Sequence, residues 1–316
     1  MATAKTGRGS GIGAGNESTH GTAVARAVWR PVVSAGLQTQ LEQAARPDLF
    51  KRGGSPISGG HHEVRKTTGG SVSLLATYNS IGLFLQAALG AAAVTGSGPY
   101  VHTYTLAQDI LSLTLELLRG NQAKSEIFEG SQISQMVLSC SPGQPMQMDL
   151  EFICETSQTR ATAGSATYTA ALLILASHAG QLGFGGANYD IKSMRLTLDN
   201  NLERREKLGS LTSQEPNRAG QGSVSLEVEL DSVSGVNDTL LAAQLAGTQG
   251  DVTLTFTSSP SLFAITLQNA WIDSAADPIN DSGVISQSVK FNGESDGTDL
   301  GLKIAITNAN SSSTAN

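Results

Sequence analysis

The feature that most constrains this chain of 316 residues is a strand-and-helix pattern that occurs twice. Residues 70–74 read G-S-V-S-L and precede an apolar stretch at 80–90. Residues 222–226 read G-S-V-S-L again and precede a similar stretch at 236–247. In both places the alternation predicts a strand, and the apolar stretch predicts a short helix that stops near a glycine. The flanking strand patterns recur in the same order, so the sequence predicts two copies of one small β-rich domain.

This repeat and the composition between its copies predict the segments of the chain. The predicted segments are a flexible N-terminal arm (1–24), a first domain (25–160) with a long loop (42–70), a linker (161–188), a second domain (189–293) and a C-terminal tail (294–316). A loop of this length inside a domain is expected to be either disordered or functional.

Composition and charge exclude several classes of protein. Few residues are charged (15%), and the net charge of −7 argues against a reader of duplex DNA, which carries a Lys/Arg face. Residues 1–185 hold 12 Lys and Arg and 11 Asp and Glu, whereas residues 186–316 hold 8 and 16, so the second copy is the acidic one. No signal peptide or membrane anchor is expected, because residues 1–16 have no apolar core and the longest apolar run, 170–176, is too short to span a bilayer.

No motif predicts catalysis, a metal site or a bound cofactor. The glycines at 7–15 follow no strand, so a flexible terminus is favoured over a phosphate-binding loop. His61 and His62 have no second cluster of ligands, which favours an exposed loop over a metal site. Cys140 and Cys154 are too far out of register across their predicted hairpin for a disulfide, so two buried thiols are expected. The chain is predicted not to be an enzyme.

A polar strand face is the most informative candidate site. In the second copy Ser225, Glu227 and Glu229 alternate with apolar residues, which predicts a half-buried sheet whose other face is polar and acidic. Matching polar positions occur at Ser71 and Ser73 in the first copy and at Thr253 and Thr255 in the second.

Taken in order, these elements resemble those of bacteriophage tail tube proteins. The motifs that carry the resemblance lie between about residues 20 and 293, with one just before the first strand. They are G-A-G-N-E-S-T-H-G (13–21), G-S-V-S-L with its helix (70–90), H-T-Y-T-L (102–106), S-L-T-L-E (112–116), F-E-G-S-Q-I-S (128–134), D-L-E-F-I-C-E (149–155) and M-R-L-T-L-D-N (194–200).

The resemblance implies a fold, an assembly and a function. It implies two tandem β-sandwich or barrel domains, each with a short helix, whose inner sheets join around a ring into one continuous lumen barrel. Because most relatives form six-membered rings from single domains, a duplicated chain is expected to form a trimeric, pseudo-hexameric ring. Stacked rings would make a tail tube in the virion, assembled in the host bacterial cytoplasm, that conducts genomic DNA during ejection without binding it.

The resemblance also implies partners: further copies of this chain, a tail tip or baseplate initiator, a tape measure protein and a tail terminator. A lumen that lets DNA slide should lack Lys and Arg, since these bind phosphate. Ser71, Ser73, Thr253, Thr255, Ser225, Glu227 and Glu229 are therefore the expected lumen-facing residues. Arg46, Lys51, Arg52, Arg65 and Lys66 in the long loop are the expected ring-stacking residues, reaching the acidic second copy of a chain in the next ring.

Two other classes of protein remain as alternatives. One is a related tube, from a bacteriocin tail or a type VI secretion system, although a duplicated domain argues mildly against the latter. The other is a two-domain β-sandwich adhesin or capsid decoration protein that does not polymerise. Such a protein should expose aromatic side chains at loop tips, whereas the longest loop here contains only Phe50.

Overall fold

The protein is described from a computed structural model that covers residues 7, 9–45, 61–120, 124–159, 164–168, 174–175, 180–231, 237–276, 285–297 and 300–311. Within these residues the chain forms 21 strands and two short helices, so the protein is mainly β, as predicted.

The elements of the first half are eleven strands and one helix. They are β1 (Gly11–Asn16), β2 (Val28–Pro31), β3 (Ser34–Ala35), β4 (Gln38–Ala45), β5 (His61–Leu75), α1 (Gly82–Leu89), β6 (Gly90–Thr95), β7 (Tyr100–Leu106), β8 (Leu113–Leu118), β9 (Glu126–Cys140), β10 (Gln147–Cys154) and β11 (Thr156–Thr159).

The elements of the second half are ten strands and one helix. They are β12 (Gly180–Phe184), β13 (Ala187–Tyr189), β14 (Ile191–Asp199), β15 (Leu202–Arg205), β16 (Gln214–Arg218), β17 (Ser223–Asp231), α2 (Asn237–Leu245), β18 (Gln249–Ser258), β19 (Ser261–Ala276), β20 (Ser286–Asn292) and β21 (Leu302–Asn308).

Six strands, three from each half, form a layer that we call the central layer. Its antiparallel order is β5–β10–β9–β14–β17–β20, and the halves meet at the β9–β14 pair. Alternate residues of each strand point into the core. The register places Leu74, Met148, Leu138, Leu196, Leu226 and Phe291 in one fully buried row across all six strands. Such a row stabilises the layer because each residue buries apolar area against its neighbours.

Eleven of the other strands cover the apolar side of the central layer, whereas β3 and β4 pair with β5 at its edge and β15 and β16 form a separate hairpin. In the first half they follow the order β2–β1–β8–β9–β11, and in the second half β13–β12–β18–β19–β21–β7–β6. The long strands β9 and β19 belong to both layers, since each pairs with different neighbours along its two halves. Central and covering strands enclose one hydrophobic cluster that runs through both halves of the chain.

The two halves have corresponding strand pairs. Five pairs of the first half each have a counterpart in the second. They are β1–β8 with β12–β18, β5–β10 with β17–β20, β10–β9 with β20–β19, β8–β9 with β18–β19, and β9–β11 with β19–β21. Both helices occupy the same place, directly after β5 or β17. The hairpin β6–β7 interrupts this correspondence, because it follows α1 in the chain but pairs with β21 of the second half.

Strands lie in three places where the sequence predicted an arm, a linker and a tail. The predicted arm contains β1, which pairs with both β2 and β8. The predicted linker contains β12, paired with β18, and the predicted tail contains β21, paired with β19 and β7. The sequence did not predict these strands, because they are short or rich in small residues. The strands with which they pair also lie far away in the chain.

The glycines of β1 show why this segment is a strand. Gly13 packs so tightly that a Cβ atom there would lie 2.7 Å from Cγ of Arg26, and a Cβ atom on Gly15 would overlap the carbonyl oxygen of Ala25. Glycine is needed here for close approach of neighbouring backbone. The prediction of a flexible terminus was therefore wrong for residues 11–16.

Both cysteines are free and buried, as predicted. Burial raises the pKa of Cys140, and it raises the pKa of Cys154 to about 12 although Ser131 donates a hydrogen bond to its sulfur. Because the thiolate is the reactive form, alkylation by iodoacetamide near pH 8 should be at least about a hundredfold slower in the folded protein than in guanidinium chloride. Mass spectrometry of the alkylated protein measures this, and rapid modification of the native chain would contradict the burial.

Candidate functional site: a polar face shared by both halves

The solvent side of the central layer is a continuous polar surface, which we call the polar face. Two of its rows run across all six strands. The first consists of Ser73, Asp149, Val137, Thr197, Ser225 and Asn292, and the second of Leu75, Gln147, Ser139, Arg195, Glu227 and Lys290. Only Val137 and Leu75 are apolar among these twelve residues. The face crosses the β9–β14 pair without interruption, so both halves contribute to one surface.

The charge on the polar face is predominantly negative. Its carboxylates are Asp149, Glu151, Asp199, Glu227, Glu229 and Asp231, and its cations are Arg195, Lys290 and Lys192, which forms an ion pair with Asp231. Lys290 is also 3.4 Å from a carboxylate oxygen of Asp273, which lies at the edge of β19. The carboxylates therefore outnumber the available positive charges, and this surface repels a polyanion.

The neighbours of each carboxylate differ along the face. Glu227 lies directly between Arg195 and Lys290 on the adjacent strands. Glu229 instead lies between Ser193 and Ser288, and Ser193 Oγ donates a hydrogen bond of 3.3 Å to its carboxylate. Glu151 also has neutral neighbours, Ser71 and Gln135. Charge at Glu151 or Glu229 is thus less compensated than charge at Glu227.

Two hairpin ends, one from each half, meet at a second candidate surface. Arg65 on β5 forms ion pairs of 2.5 Å with Glu42 and 2.6 Å with Glu206, which follows β15. The Lys66 N–H donates a hydrogen bond of 2.7 Å to the Leu211 carbonyl. A groove of about 800 Å³ lies between the two ends and is lined by Glu42, residues 64–66 and residues 206–213. We call this region the hairpin end.

The hairpin end exposes apolar side chains although it is rich in charge. Leu208, at the turn between β15 and β16, is completely exposed, and Leu41, Val64 and Leu211 are each exposed by about two fifths. Exposed leucines grouped around a groove are characteristic of contact surfaces between proteins.

Comparison with known families gives one match over most of the chain. The family described as phage tail tube protein matches residues 7–293. The chain belongs to this family. A tail tube protein is a structural component of the virion tail, which accords with a fold dominated by strand pairing and with the absence of a catalytic motif in the sequence. No curated protein matches the chain. The family match does not favour the adhesin or decoration protein considered above.

The fold brings together five of the seven residues predicted to face the lumen of the tail tube. Ser71, Ser73, Ser225, Glu227 and Glu229 all lie on the polar face. Thr253 and Thr255 do not: β18 belongs to a covering layer, where Thr253 pairs with Thr266 and Gly183. Their alternation is the same as that of β17, but it marks the solvent side of a different layer.

Several residues of the polar face were missed. The sequence shows the alternation of Asp149 and Glu151 with Leu150 and Phe152, which was a usable signal. It does not show that β9 and β14 are neighbours, and this pairing is what brings both halves into one face.

Two of the five expected ring-stacking residues lie in the part of the chain that the structure describes. Arg65 and Lys66 lie at the hairpin end, whereas Arg46, Lys51 and Arg52 lie outside the described residues. The carboxylates of Glu206 and Glu42 raise the pKa of Arg65 by hydrogen bonding and charge attraction. The charge of Arg65 is therefore already compensated within the chain.

Two kinds of feature were sought in the part of the chain that the structure describes: groups of metal ligands and long apolar helices. No three His, Cys, Asp or Glu side chains in this part of the chain lie close enough to hold a metal ion. None of the helices in the described ranges is long and apolar enough to cross a bilayer.

Proposed function

We propose that the chain builds the tube of a phage tail from stacked trimeric rings, and that the polar face lines the channel through which genomic DNA leaves the virion. The observation that carries this proposal is the continuity of the polar face across both halves. A single chain would supply six adjacent strands to the wall of the channel. Three chains would supply six domains, the number expected for a ring.

The chemistry of the polar face suits passage of DNA. Duplex DNA carries closely spaced phosphates, and each Lys or Arg that contacts a phosphate adds affinity and slows movement. The polar face has six carboxylates and three cations, and each cation lies next to a carboxylate, so the face provides no such sites. The serine, threonine and asparagine side chains of the polar face bind water and add no positive charge.

The corresponding strand pairs of the two halves support a duplicated tube domain. On this view the first domain runs from β1 to β11 and the second from β12 to β21. Compared with the bounds predicted by the sequence, the first domain begins earlier and the second domain is longer at both ends. The hairpin end would contact the next ring, and the tube would start at a tail tip initiator, surround a tape measure protein and end at a terminator. DNA would pass without specific binding.

Charge reversal on the polar face tests the channel. Glu151→Lys combined with Glu229→Lys should leave tubes intact, because both residues have neutral neighbours, but slow the release of DNA by at least about tenfold. Virions assembled with the variant would be triggered in vitro, and DNA release would be followed with an intercalating dye at several salt concentrations. The delay should shrink as salt rises.

The matched control reverses two carboxylates outside the polar face, Asp109 and Glu215, which are both exposed. The changes Asp109→Lys and Glu215→Lys alter the net charge equally but should leave the release rate unchanged. If the Glu151 and Glu229 variant also released DNA at the normal rate from intact virions, the polar face would not line the channel.

A further inference from the structure

The hairpin β6–β7 belongs to the first half of the chain but is held in the sheet by the second. Among the described strands β6 pairs only with β7, and β7 pairs on its other side with β21, from Tyr100–Asn308 to Thr105–Lys303. β21 in turn pairs with β19. Within the described part of the chain the hairpin therefore has no strand partner in its own half, and only β21 joins it to the rest of the sheet.

The pairing of β7 with β21 has a fully buried side. Tyr104 and His102 of β7 lie opposite Ile304 and Ile306 of β21, and all four side chains are completely buried. Cross-strand neighbours that bury apolar area stabilise the strands that carry them. The contact between hairpin and β21 is thus part of the core, although its two strands come from different halves of the chain.

Polar side chains close one end of this pairing. Asn308 donates a hydrogen bond of 2.7 Å from Nδ2 to the Tyr78 carbonyl, and its Oδ1 accepts one of 2.9 Å from the Asn310 N–H. His102 Nε2 lies 3.1 Å from the same Oδ1 and 2.8 Å from the Asn310 carbonyl oxygen. Both of these oxygens only accept, so Nε2 carries the proton. Asn308 and His102 are buried, where the loss of a hydrogen-bond partner is costly.

The helix α1 lies between the two points that β21 holds. Tyr78 precedes the helix, and the hairpin follows it directly from Gly90. The Ala107 N–H, just after β7, donates a hydrogen bond of 2.7 Å to the Leu89 carbonyl at the helix end. α1 contacts β6 and β7 in addition to β1 and β9, and seven of its eight residues are buried. The hairpin is therefore part of the cover of α1, and β21 fixes the chain on both sides of the helix.

We propose that residues 302–310, which we call the latch, hold the hairpin β6–β7 over α1 and so make the native structure of the first half depend on the second. With the latch closed, helix, hairpin and β21 belong to one hydrophobic cluster. When the latch opens, the hairpin and α1 lose their cover together, while the central layer stays paired. The latch acts within one chain, so it does not depend on the proposed tube.

The latch also sets an order of folding. His102 and Asn308 are 206 residues apart in the chain, and contacts this distant form late because a long loop must close first. The hairpin cannot complete its pairing until residues 302–310 have folded onto β19. A chain whose second half is unfolded should therefore expose a strand edge at β7 and an apolar helix, features that favour aggregation.

Hydrogen exchange of the full chain, measured by mass spectrometry, tests the latch. Ile304→Ala and Leu254→Ala form a matched pair, because both side chains are completely buried and lie on opposite sides of Ile265. Only Ile304 belongs to the latch. Ile304→Ala should speed exchange of the amides in residues 90–106 at least about thirtyfold, without a similar change in β10. Leu254→Ala should not act preferentially on residues 90–106.

A polar variant tests the latch without a cavity in the core. Asn308→Ala removes the hydrogen bonds to Tyr78 and His102 and should speed exchange of residues 78–106 about tenfold. Its control is Arg218→Ala, which removes an exposed hydrogen bond of 3.0 Å from the second half to the Ala107 carbonyl. The control should change the same exchange less than about threefold. Circular dichroism would verify that each variant is folded.

A disulfide across the latch should reverse the effect of Asn308→Ala. Thr103 of β7 and Ala305 of β21 lie directly opposite each other, so Thr103→Cys with Ala305→Cys can form a bond between the two strands. Oxidation should return exchange of the hairpin to the wild-type rate, and reduction should make it fast again. The companion pair Ala93→Cys with Thr103→Cys joins β6 to β7 only and should leave the exchange fast.

The outcomes separate a latch from an ordinary stabilising strand. Local acceleration in the hairpin of the Ile304 and Asn308 variants, reversed by the Thr103–Ala305 disulfide, supports the latch. Equal acceleration in all segments of the chain would overturn it, because β21 would then contribute only to global stability. Unchanged exchange of the hairpin in a folded variant would also overturn it. If Ile304→Ala does not fold, Asn308→Ala decides. Neither result bears on rings or tubes, so the latch and the proposed function can fail independently.

Discussion

Replacing Glu116 by alanine should lower the free energy of unfolding by about 3–5 kcal/mol, because it leaves a nearly buried arginine without its partner. Glu116 lies on β8 and is completely buried. Its carboxylate is 2.7 Å from a guanidinium nitrogen of Arg26, and it accepts hydrogen bonds from Ser125 Oγ at 2.6 Å and from the Gly164 N–H at 2.9 Å. A loss of this size is a large fraction of the stability of an ordinary domain.

The expected loss also has a specific location. Arg26 belongs to the segment that follows β1, and Gly164 belongs to the segment that follows β11, so Glu116 attaches two connecting segments to the first half. Without the carboxylate both segments lose their anchor, while the apolar neighbours of β8 remain. We therefore expect early proteolytic cleavage near residues 17–27 and 164–168, in addition to the lower midpoint in denaturant.

The matched control is Glu126→Ala. Glu126 forms an ion pair of 2.7 Å with Arg119, but both side chains are about two fifths exposed, so its removal should cost less than about 1 kcal/mol. Urea unfolding followed by circular dichroism measures both variants. A Glu116 variant as stable as the Glu126 variant would show that the buried network does not hold these segments.

Buried charge of this kind was not predictable from the sequence. Glu116 stands at a polar position in the alternation of β8, which predicts an exposed side chain, yet it is completely buried. Arg30 is also buried, and it follows a tryptophan in the short strand β2. Arg30 donates hydrogen bonds to Thr77 Oγ1 and to the Asn79 and Leu75 carbonyls, and burial lowers its pKa to about 10. These partners are more than forty residues away, so only the folded chain reveals them.

The sequence predicted local structure well and layer assignment less well. Period-two alternation correctly predicted the two faces of β17, and the repeated G-S-V-S-L motif correctly predicted matching strands in both halves. The same alternation in β18 did not reveal that Thr253 belongs to a covering layer, because period two is identical in every strand with one buried face. The order of strands depends on long-range pairing, above all between β9 and β14.

Small-residue segments were the other source of error. The sequence predicted an arm and a linker where β1 and β12 occur, because glycine is rare in strand interiors. Here close packing against Arg26, Trp29 and Phe256 requires glycine at Gly13 and Gly180. A glycine that admits a neighbouring side chain and a glycine that loosens the chain look the same in a single sequence.

Replacing Leu208 by aspartate should abolish long tubes and leave rings intact. Leu208 is completely exposed at the hairpin end, and in the proposed tube the next ring covers it. Burying a leucine contributes about 2 kcal/mol, and a buried carboxylate adds a further penalty, so each ring-to-ring contact should weaken more than a hundredfold. We expect Arg65 to contribute less to the proposed stacking than the sequence predicts, because Glu42 and Glu206 already compensate its charge.

Electron microscopy of the purified variant measures tube length directly, and in the proposed trimeric ring the three copies of Leu208 should make the effect steep. Val94→Asp serves as the control, since Val94 is exposed on β6 and lies outside the hairpin end. Deletion of residues 53–60 from the long loop should act in the same direction as Leu208→Asp if both hairpin ends contact the next ring. Tubes of normal length from the Leu208 variant would exclude the hairpin end as the stacking surface, whereas loss of the rings themselves would place Leu208 in the junction between chains.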